Sequence, residues 1–482
     1  MSNTPDDMAA LPIAEPFHDP REPGNMPAVG GLGPGFEGGD SVAAPVPPPG
    51  SHPAASEAQP LKLRQALTYS SGNFGAGVFY SFNNFILPIY LKSFGASNVL
   101  IGLLSSTRSL EGSVIQPTVG AWSDRTWTRL GRRRPFIVSF VPLCVFFLVL
   151  TPFLAPPPHA PTTSGEWTLP LVLAALGIFL FSVTFNVMYD PYNSLLADIT
   201  PERQRGRVNG VFQAAGAFGQ VAILLVGALL GVDLRILFLI TAGTLLAFFL
   251  PTVLGIREPR NLPGITEHRR YTARDYWNGL RSDPQVQLYF AVQFFLWFGI
   301  NAITPFLTLY AINEAGFSEE GALLLSLMLL LSTALFVWPF GVLGDRMGLR
   351  RVFLLGMICM AGASTAGIFT HNALLLFIIV TIAGIGNAAQ TASSFPLLTR
   401  MVFPDQMGLY TGLNTAVTSV AAPLSAFIAG ELIDHLGYAA MFPFVAAMFI
   451  ISLLPLAILR IEKSRAAQAR AKQLEQRESS AA

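Results

Sequence analysis

Apolar residues run through this chain in blocks far longer than a soluble helix needs. A helix that crosses a bilayer takes about 20 predominantly apolar residues. Twelve blocks reach that length: 66–91, 98–121, 136–155, 169–196, 207–231, 235–256, 287–311, 321–343, 352–370, 373–399, 408–433 and 438–460. Barrel strands would alternate polar and apolar residues over ~10 positions, and the blocks do not. The pattern predicts an all-α, polytopic membrane protein with twelve transmembrane helices. Residues 1–60 are rich in Pro and Gly, with Arg21 their only basic residue. They lack the charged and apolar regions of a signal peptide, so a disordered cytoplasmic tail is expected there. The polar stretch 257–286 reads as a cytoplasmic linker loop between bundles at 61–256 and 287–461, and 462–482 as a cytoplasmic C-terminal tail.

Composition narrows the function classes. The 482 residues are 52% hydrophobic and 12% charged, against about 25% charged in a soluble domain, which excludes a soluble multidomain enzyme. A net charge of +1 gives no basic face for nucleic acid. Cys144 and Cys359 both lie inside apolar runs, and the six histidines show no ligand spacing, so neither a metal nor a cofactor is expected. Lys and Arg set the orientation. With the N-terminus inside, only Lys92 and Arg235 lie near outer loops and only Arg108 at mid-membrane, while the other basic residues fall inside. Both termini are therefore expected to be cytoplasmic, in a plasma (inner) membrane.

A faint duplication divides the chain. Gly120-Ala-Trp-Ser-Asp124-Arg125 follows the second block, and Gly341-Val-Leu-Gly-Asp345-Arg346 follows the eighth. Pro88, Gly95 and Ser97 are echoed by Pro305, Gly316 and Ser318, and Pro201 and Gly206 by Pro404 and Gly408. Two parallel six-helix halves would be related by a pseudo-two-fold axis along the membrane normal, with a central site opened to each side in turn. Blocks 3, 6, 9 and 12 carry no amide or charged residue between their end residues, as lipid-facing helices should; block 8 shares this property and breaks the period of three.

The repeated loops resemble the signature loop of the major facilitator superfamily, over residues 61–461. A fuller string, Gln116-Pro117 through Gly131-Arg132-Arg133-Arg134-Pro135-Phe136-Ile137, with Ser194-Leu-Leu-Ala-Asp198, resembles the sucrose-transporter branch near the glycoside–pentoside–hexuronide:cation symporters, over about 85–200. The resemblance implies a proton-driven symporter of a disaccharide or related sugar; a monomer is expected. It also implies a gating role for Gly120, Asp124, Arg125, Gly131, Arg132, Arg133, Arg134, Asp198, Gly341, Asp345 and Arg346. Asp124, near a helix C-terminus where the macrodipole disfavours an anion, needs a cationic or helix-N-terminal partner. One departure stands out: where sucrose carriers hold a coupling Asp in helix four, counting back from Asp198 reaches Ser182, which does not titrate.

An ionisable group at mid-membrane costs about 2.5–3.5 kcal/mol on insertion scales. Arg108 and Glu111 sit there, three residues apart on one helix face. Melibiose-type symporters have a similar Arg-x-x-acid pattern. Glu111 is the expected coupling carboxylate, Arg108 its partner, and Asp190 a second coupling candidate; a static ion pair is the bland alternative. A sugar site needs amides, hydroxyls and an aromatic face. Stripes at helical spacing supply them: Tyr80, Asn83 and Asn84; Asn186; Gln213; Gln293, Trp297 and Asn301; Asn387 and Gln390; and Asn414. Interhelical hydrogen bonding is the alternative use of such residues. The expected function is cation-coupled sugar symport by alternating access. Sodium coupling, an exporter of amphiphilic compounds and a transport-dead scaffold are the rivals. No catalytic pair suggests an intramembrane enzyme.

Overall fold

The computed structural model describes residues 62–105, 118–119, 122–123, 126–158, 167–200, 202–231, 233–256, 273–370, 372–403, 406–466 and 468–469. Among them the protein is helical, with one isolated bridge, Thr128 to Gly131, in place of strands. Helix α1 (Leu63–Ser81) passes through a π-turn (Phe82–Ile86) into α2 (Leu87–Ser93), and α3 covers 98–105. Then follow α4 (Arg134–Leu154), α5 (Leu169–Ile199), α6 (Glu202–Leu230) and α7 (Leu234–Gly255). The second half holds α8 (Ala273–Ser282), α9 (Pro284–Ile303), α10 (Leu307–Asn313), α11 (Glu319–Met347), α12 (Leu349–Ile368), α13 (Ala373–Met401), α14 (Met407–Leu436) and α15 (Met441–Ile458). Ten spans among the described residues are long and apolar enough to cross a membrane, with α9 and α10 counted as one. The first predicted block is the run α1–π–α2, and the second begins with α3.

The duplication reappears as packing. In the first half α1 packs on α6 and α7, and α4 on α5 and α7. In the second, α9 packs on α14 and α15, and α12 on α13 and α15. Each pair maps onto its counterpart six spans later. Interhelical approach in membranes depends on small residues. A Cβ on Gly77 would lie 2.0 Å from the Gly216 carbonyl oxygen, so α1 and α6 meet backbone to backbone. Tyr69 and Tyr192 staple α1 to α5 reciprocally, each hydroxyl donating to the other residue's carbonyl at 2.7 and 2.6 Å. Two cations repeat as well. Arg134, opening α4, donates to the Val253 carbonyl near the end of α7 at 2.5 Å. Arg350, opening α12, donates to the Leu456 and Ala457 carbonyls at the end of α15. Both satisfy carbonyls that a helix C-terminus leaves without partners.

Two features depart from the block pattern. The first helix of each half is interrupted before its C-terminal end. Where the π-turn meets α2 the Leu87 N–H reaches back to the Phe82 carbonyl, one residue further than in an α-helix, just ahead of Pro88. Proline lacks a donor and its ring crowds the carbonyl four residues back, and a widened turn accommodates it. In the second half a turn at 304–306, containing Pro305, separates α9 from α10. The stretch 257–286, read as a loop, contains α8 at its end.

Candidate functional site

A cavity of about 930 Å³ lies between the halves. Most of its polar lining comes from α1, α5 and α6 on one side and α9, α13 and α14 on the other. Every amide stripe noted in the sequence reaches it. From the first half it is lined by Tyr80, Asn84, Asn186 and Gln213, together with Asn73, Asn193, Asn209 and Gln220. From the second it is lined by Gln293, Trp297, Asn301, Asn387, Gln390 and Asn414. Asn83 does not join them. Within the π-turn it is buried, and its Nδ2 donates to the Ser105 carbonyl of α3 at 3.1 Å.

Some of these amides serve the fold. Asn73 Nδ2 donates to the Phe212 carbonyl at 2.7 Å and its Oδ1 accepts from Tyr189 Oη at 3.0 Å, tying α1 to α6 and α5. Asn186 and Asn301 donate to carbonyls one turn back in their own helices, at 2.9 and 2.7 Å. Others are presented to the cavity: Asn84, Gln213 and Gln220 make no side-chain bond to protein among the described residues. Gln293 Nε2 donates to Ser394 Oγ at 3.0 Å and Asn414 Oδ1 at 3.2 Å, and its own Oε1 has no protein partner. Asn387 Nδ2 donates to Thr333 Oγ1 at 3.3 Å.

Asp190, buried on α5, is the sole carboxylate among the described lining residues, and none of those described residues is Lys, Arg or His. Arg108 and Glu111 lie outside the described residues, as do Gln116, Pro117, Gly120, Asp124 and Arg125; of Asp198 only the backbone, in α5, is described. In the first signature loop Gly131 takes φ 112° and exchanges two backbone bonds with Thr128, at 3.0 and 3.1 Å. Arg133 beside it is buried, and Arg132 and Arg134 are half-buried. In the second loop Gly341 is half-buried, Asp345 and Arg346 are exposed, and Gly348 at φ 92° ends α11.

The sequence reading missed Tyr189, which lines the cavity. Its signal was present: Asn186, Tyr189 and Asn193 share one face at helical spacing. The expected lipid-facing helices behave unevenly. α4 and α7 supply no lining residue, whereas α12 contributes Met360, Ala363 and Ser364, and α15 Phe442 and Phe449.

The cavity is closed at one end. Its lining extends toward the end that carries α1's N-terminus through Asn73, Asn193, Asn209, Ser394 and Asn414, and toward the other end through Phe85, Leu307 and Phe442. At the opposite end the halves touch. A Cβ on Gly227 of α6 would sit 2.6 Å from Leu323 Cδ1 of α11, and Asp434 of α14 bonds the start of α3.

The family model described as Major Facilitator Superfamily matches residues 69–338 and 323–481. Sucrose transport protein SUC3 of Arabidopsis thaliana is 29% identical over 151 residues, covering 30% of this chain and 25% of that protein. The chain thus spans only about a quarter of that relative. Multidrug resistance protein MdtG of Klebsiella pneumoniae (strain 342) is 23% identical over 402 residues, covering 81% of this chain and 92% of that protein. Among solved structures, a bacterial homolog of the human lysosomal transporter Spinster, in an inward-facing and unoccupied conformation, superposes with a TM-score of 0.61 at 15% identity, over 84% of this chain and 97% of that one.

Proposed function

We propose that this chain, which belongs to the major facilitator superfamily, carries a sugar across the membrane by cation-coupled symport. It is a membrane transporter and not an enzyme. The observation that carries the sugar reading is the lining of the cavity. Amide groups from six helices surround a volume that suits a small ligand, and Trp297 and Tyr80 offer ring faces for a pyranose. A neutral polyol brings many donors and acceptors and no charge. It would satisfy Asn84, Gln213 and the spare Gln293 acceptor, where a purely apolar ligand would leave them unpaired. Among the described residues the open end holds Arg129, Arg207, Arg346 and Arg400 with other basic residues, and the closed end holds Lys92 and Arg235. By the positive-inside rule the open end is cytoplasmic, as are both termini, in a plasma membrane.

Coupling is assigned to two carboxylates: Asp190 in the cavity wall, and Glu111, three residues from Arg108 in the sequence. Neutralising such a group by a proton or a sodium ion changes its attraction to its surroundings and biases the two access states. The signature loops, with their repeated Gly and Asp-Arg pairs, are the matching gate elements at the cytoplasmic end.

Proteoliposomes test this directly. Labelled sucrose, maltose or melibiose should accumulate under an imposed pH or sodium gradient. Glu111→Gln and Asp190→Asn should each be assayed for uphill accumulation and for exchange. The expected result is loss of accumulation with retained exchange in at least one variant; full accumulation in both ends the coupling assignment. A second reading is favoured by the likeness to MdtG, which covers far more of the chain than the likeness to sucrose carriers does. In that reading the single described carboxylate and the aromatic walls take up an amphiphilic cation for export. Efflux of such a cation, without uptake of any sugar, would select it.

A further inference from the structure

We propose that α8 is an interfacial helix whose outward face binds anionic lipid headgroups. The two faces of α8 differ. Its inner face rests on the first two turns of α14. Tyr410 Oη donates to the Gly279 carbonyl at 3.4 Å, and a Cβ on Gly279 would meet Leu409 Cδ2 at 2.9 Å. Tyr276 Oη lies 3.0 Å from where a Cβ on Gly412 would stand. The outward face presents Arg274, Trp277, Asn278 and Arg281, which fall on one stripe at spacings of three, four and seven. Trp277 is 54% exposed, and the Arg281 guanidinium lies 4.4 Å from its ring centroid.

Position decides what that face meets. α8 ends at Ser282, and α9, a membrane span, begins at Pro284. Contact with Leu409 to Leu413 places α8 within about 9 Å of the start of the α14 span. That is headgroup depth, where tryptophan is enriched and basic amphipathic helices lie in the plane of the interface. Charge matches as well: residues 269–281 hold Arg269, Arg270, Arg274 and Arg281 against one acid, Asp275, which is half-buried on the flank. Basic clusters directly beside a span bind anionic lipid. α14 also carries Asn414 and Thr418 into the cavity, so a headgroup held on α8 braces one wall of the transport site.

The full chain in phosphatidylcholine bilayers, with or without phosphatidylglycerol, tests this without any transport assay. Brominated phosphatidylglycerol should quench a fluorescence component that is missing in Trp277→Phe. Association of phosphatidylglycerol, read by native mass spectrometry, should fall roughly fivefold for each arginine removed in Arg274→Gln and Arg281→Gln. The double Arg→Lys variant should keep most of it. Equal association in wild type and the double Gln variant, or an unquenched Trp277, overturns the proposal. So does tight binding of an acidic soluble protein to this face in place of lipid.

Discussion

The two ends of the helix bundle differ in what crosses between the halves. At the closed end the contacts are few, short and aimed at backbone. Asp434, near the end of α14, accepts from the Asn98 N–H at 3.1 Å, from Asn98 Nδ2 at 2.7 Å and from the Val99 N–H at 3.3 Å. These are donors that the start of α3 would otherwise leave unsatisfied. Tyr438 Oη donates to Asn98 Oδ1 at 2.8 Å, completing a chain across the junction. Glycine makes the approach possible: a Cβ on Gly102 would stand 2.7 Å from the Ala426 carbonyl oxygen, and one on Gly430 2.6 Å from Val99 Cα. At the open end the facing residues are amides turned to a cavity. Closure therefore rests on a small latch with defined geometry. Alternating access requires that latch to break and an equivalent one to form at the other end.

The largest effect is expected from denying the approach altogether. Gly430→Leu drives a branched side chain into the Val99 backbone, which cannot yield as a flexible side chain could. The closed end should not form, and net transport should fall to background in proteoliposomes. A cysteine at Asn301, in a Cys359→Ser background, should become reactive to an impermeant maleimide from the closed side. Wild-type transport in a correctly folded Gly430→Leu protein would refute the idea that this contact is part of the cycle.

How much of this was legible in the sequence depends on chemical distance. The spans were, because bilayer thickness imposes blocks of fixed length. The amide stripes were, because Gln293, Trp297 and Asn301 share a face at any plausible helix register. Asn84 falls on the stripe of Asn73, Gly77 and Tyr80 with Asn83 beside it, but the turn of Asn83 away from the cavity to the Ser105 carbonyl emerges only with the π-turn at Phe82–Ile86 in place. α8 was hidden because it is short and polar on average, so its strongly two-sided pattern passed for part of a loop. The Asp434 latch was out of reach for another reason. Its partners are Asn98, in the opposite half, and backbone donors, which no side-chain pattern reports. Arg134 and Arg350 were visible as positive-inside charge, but their use as clamps on α7 and α15 emerges only when the helix ends are placed together.

A smaller effect should follow from Asp434→Asn, which keeps the shape and removes the charge. Hydrogen bonds to a charged group contribute about 1.5–3 kcal/mol, roughly twice a neutral one. Losing that increment at the start of α3 should move the balance of the two access states by about tenfold toward opening at this end. Maleimide labelling at the Asn301 position from each side gives the ratio. An unchanged ratio would mean that helix packing around Gly102 and Gly430, rather than the carboxylate, holds the closed end.

The smallest effect should come from Tyr438→Phe. It deletes one neutral hydrogen bond, to Asn98 Oδ1, at a net cost of about 0.5–1.5 kcal/mol. The ring itself stays, and with it the contact of Lys92, whose Nζ lies 5.7 Å from the ring centroid. A shift of roughly threefold in the labelling ratio is expected, in the same direction as for Asp434→Asn. Tyr438→Leu separates the two contributions, since it also removes the ring beneath Lys92. If Leu shifts the ratio further than Phe, the cation and the ring both belong to the latch. If the two variants match, only the hydroxyl does, and Asn98 is then the single bridge between Tyr438 and Asp434. Combined with Asp434→Asn, Tyr438→Phe should add less than its separate effect, because both act through the side chain of Asn98; full additivity would show that the two residues close the junction independently.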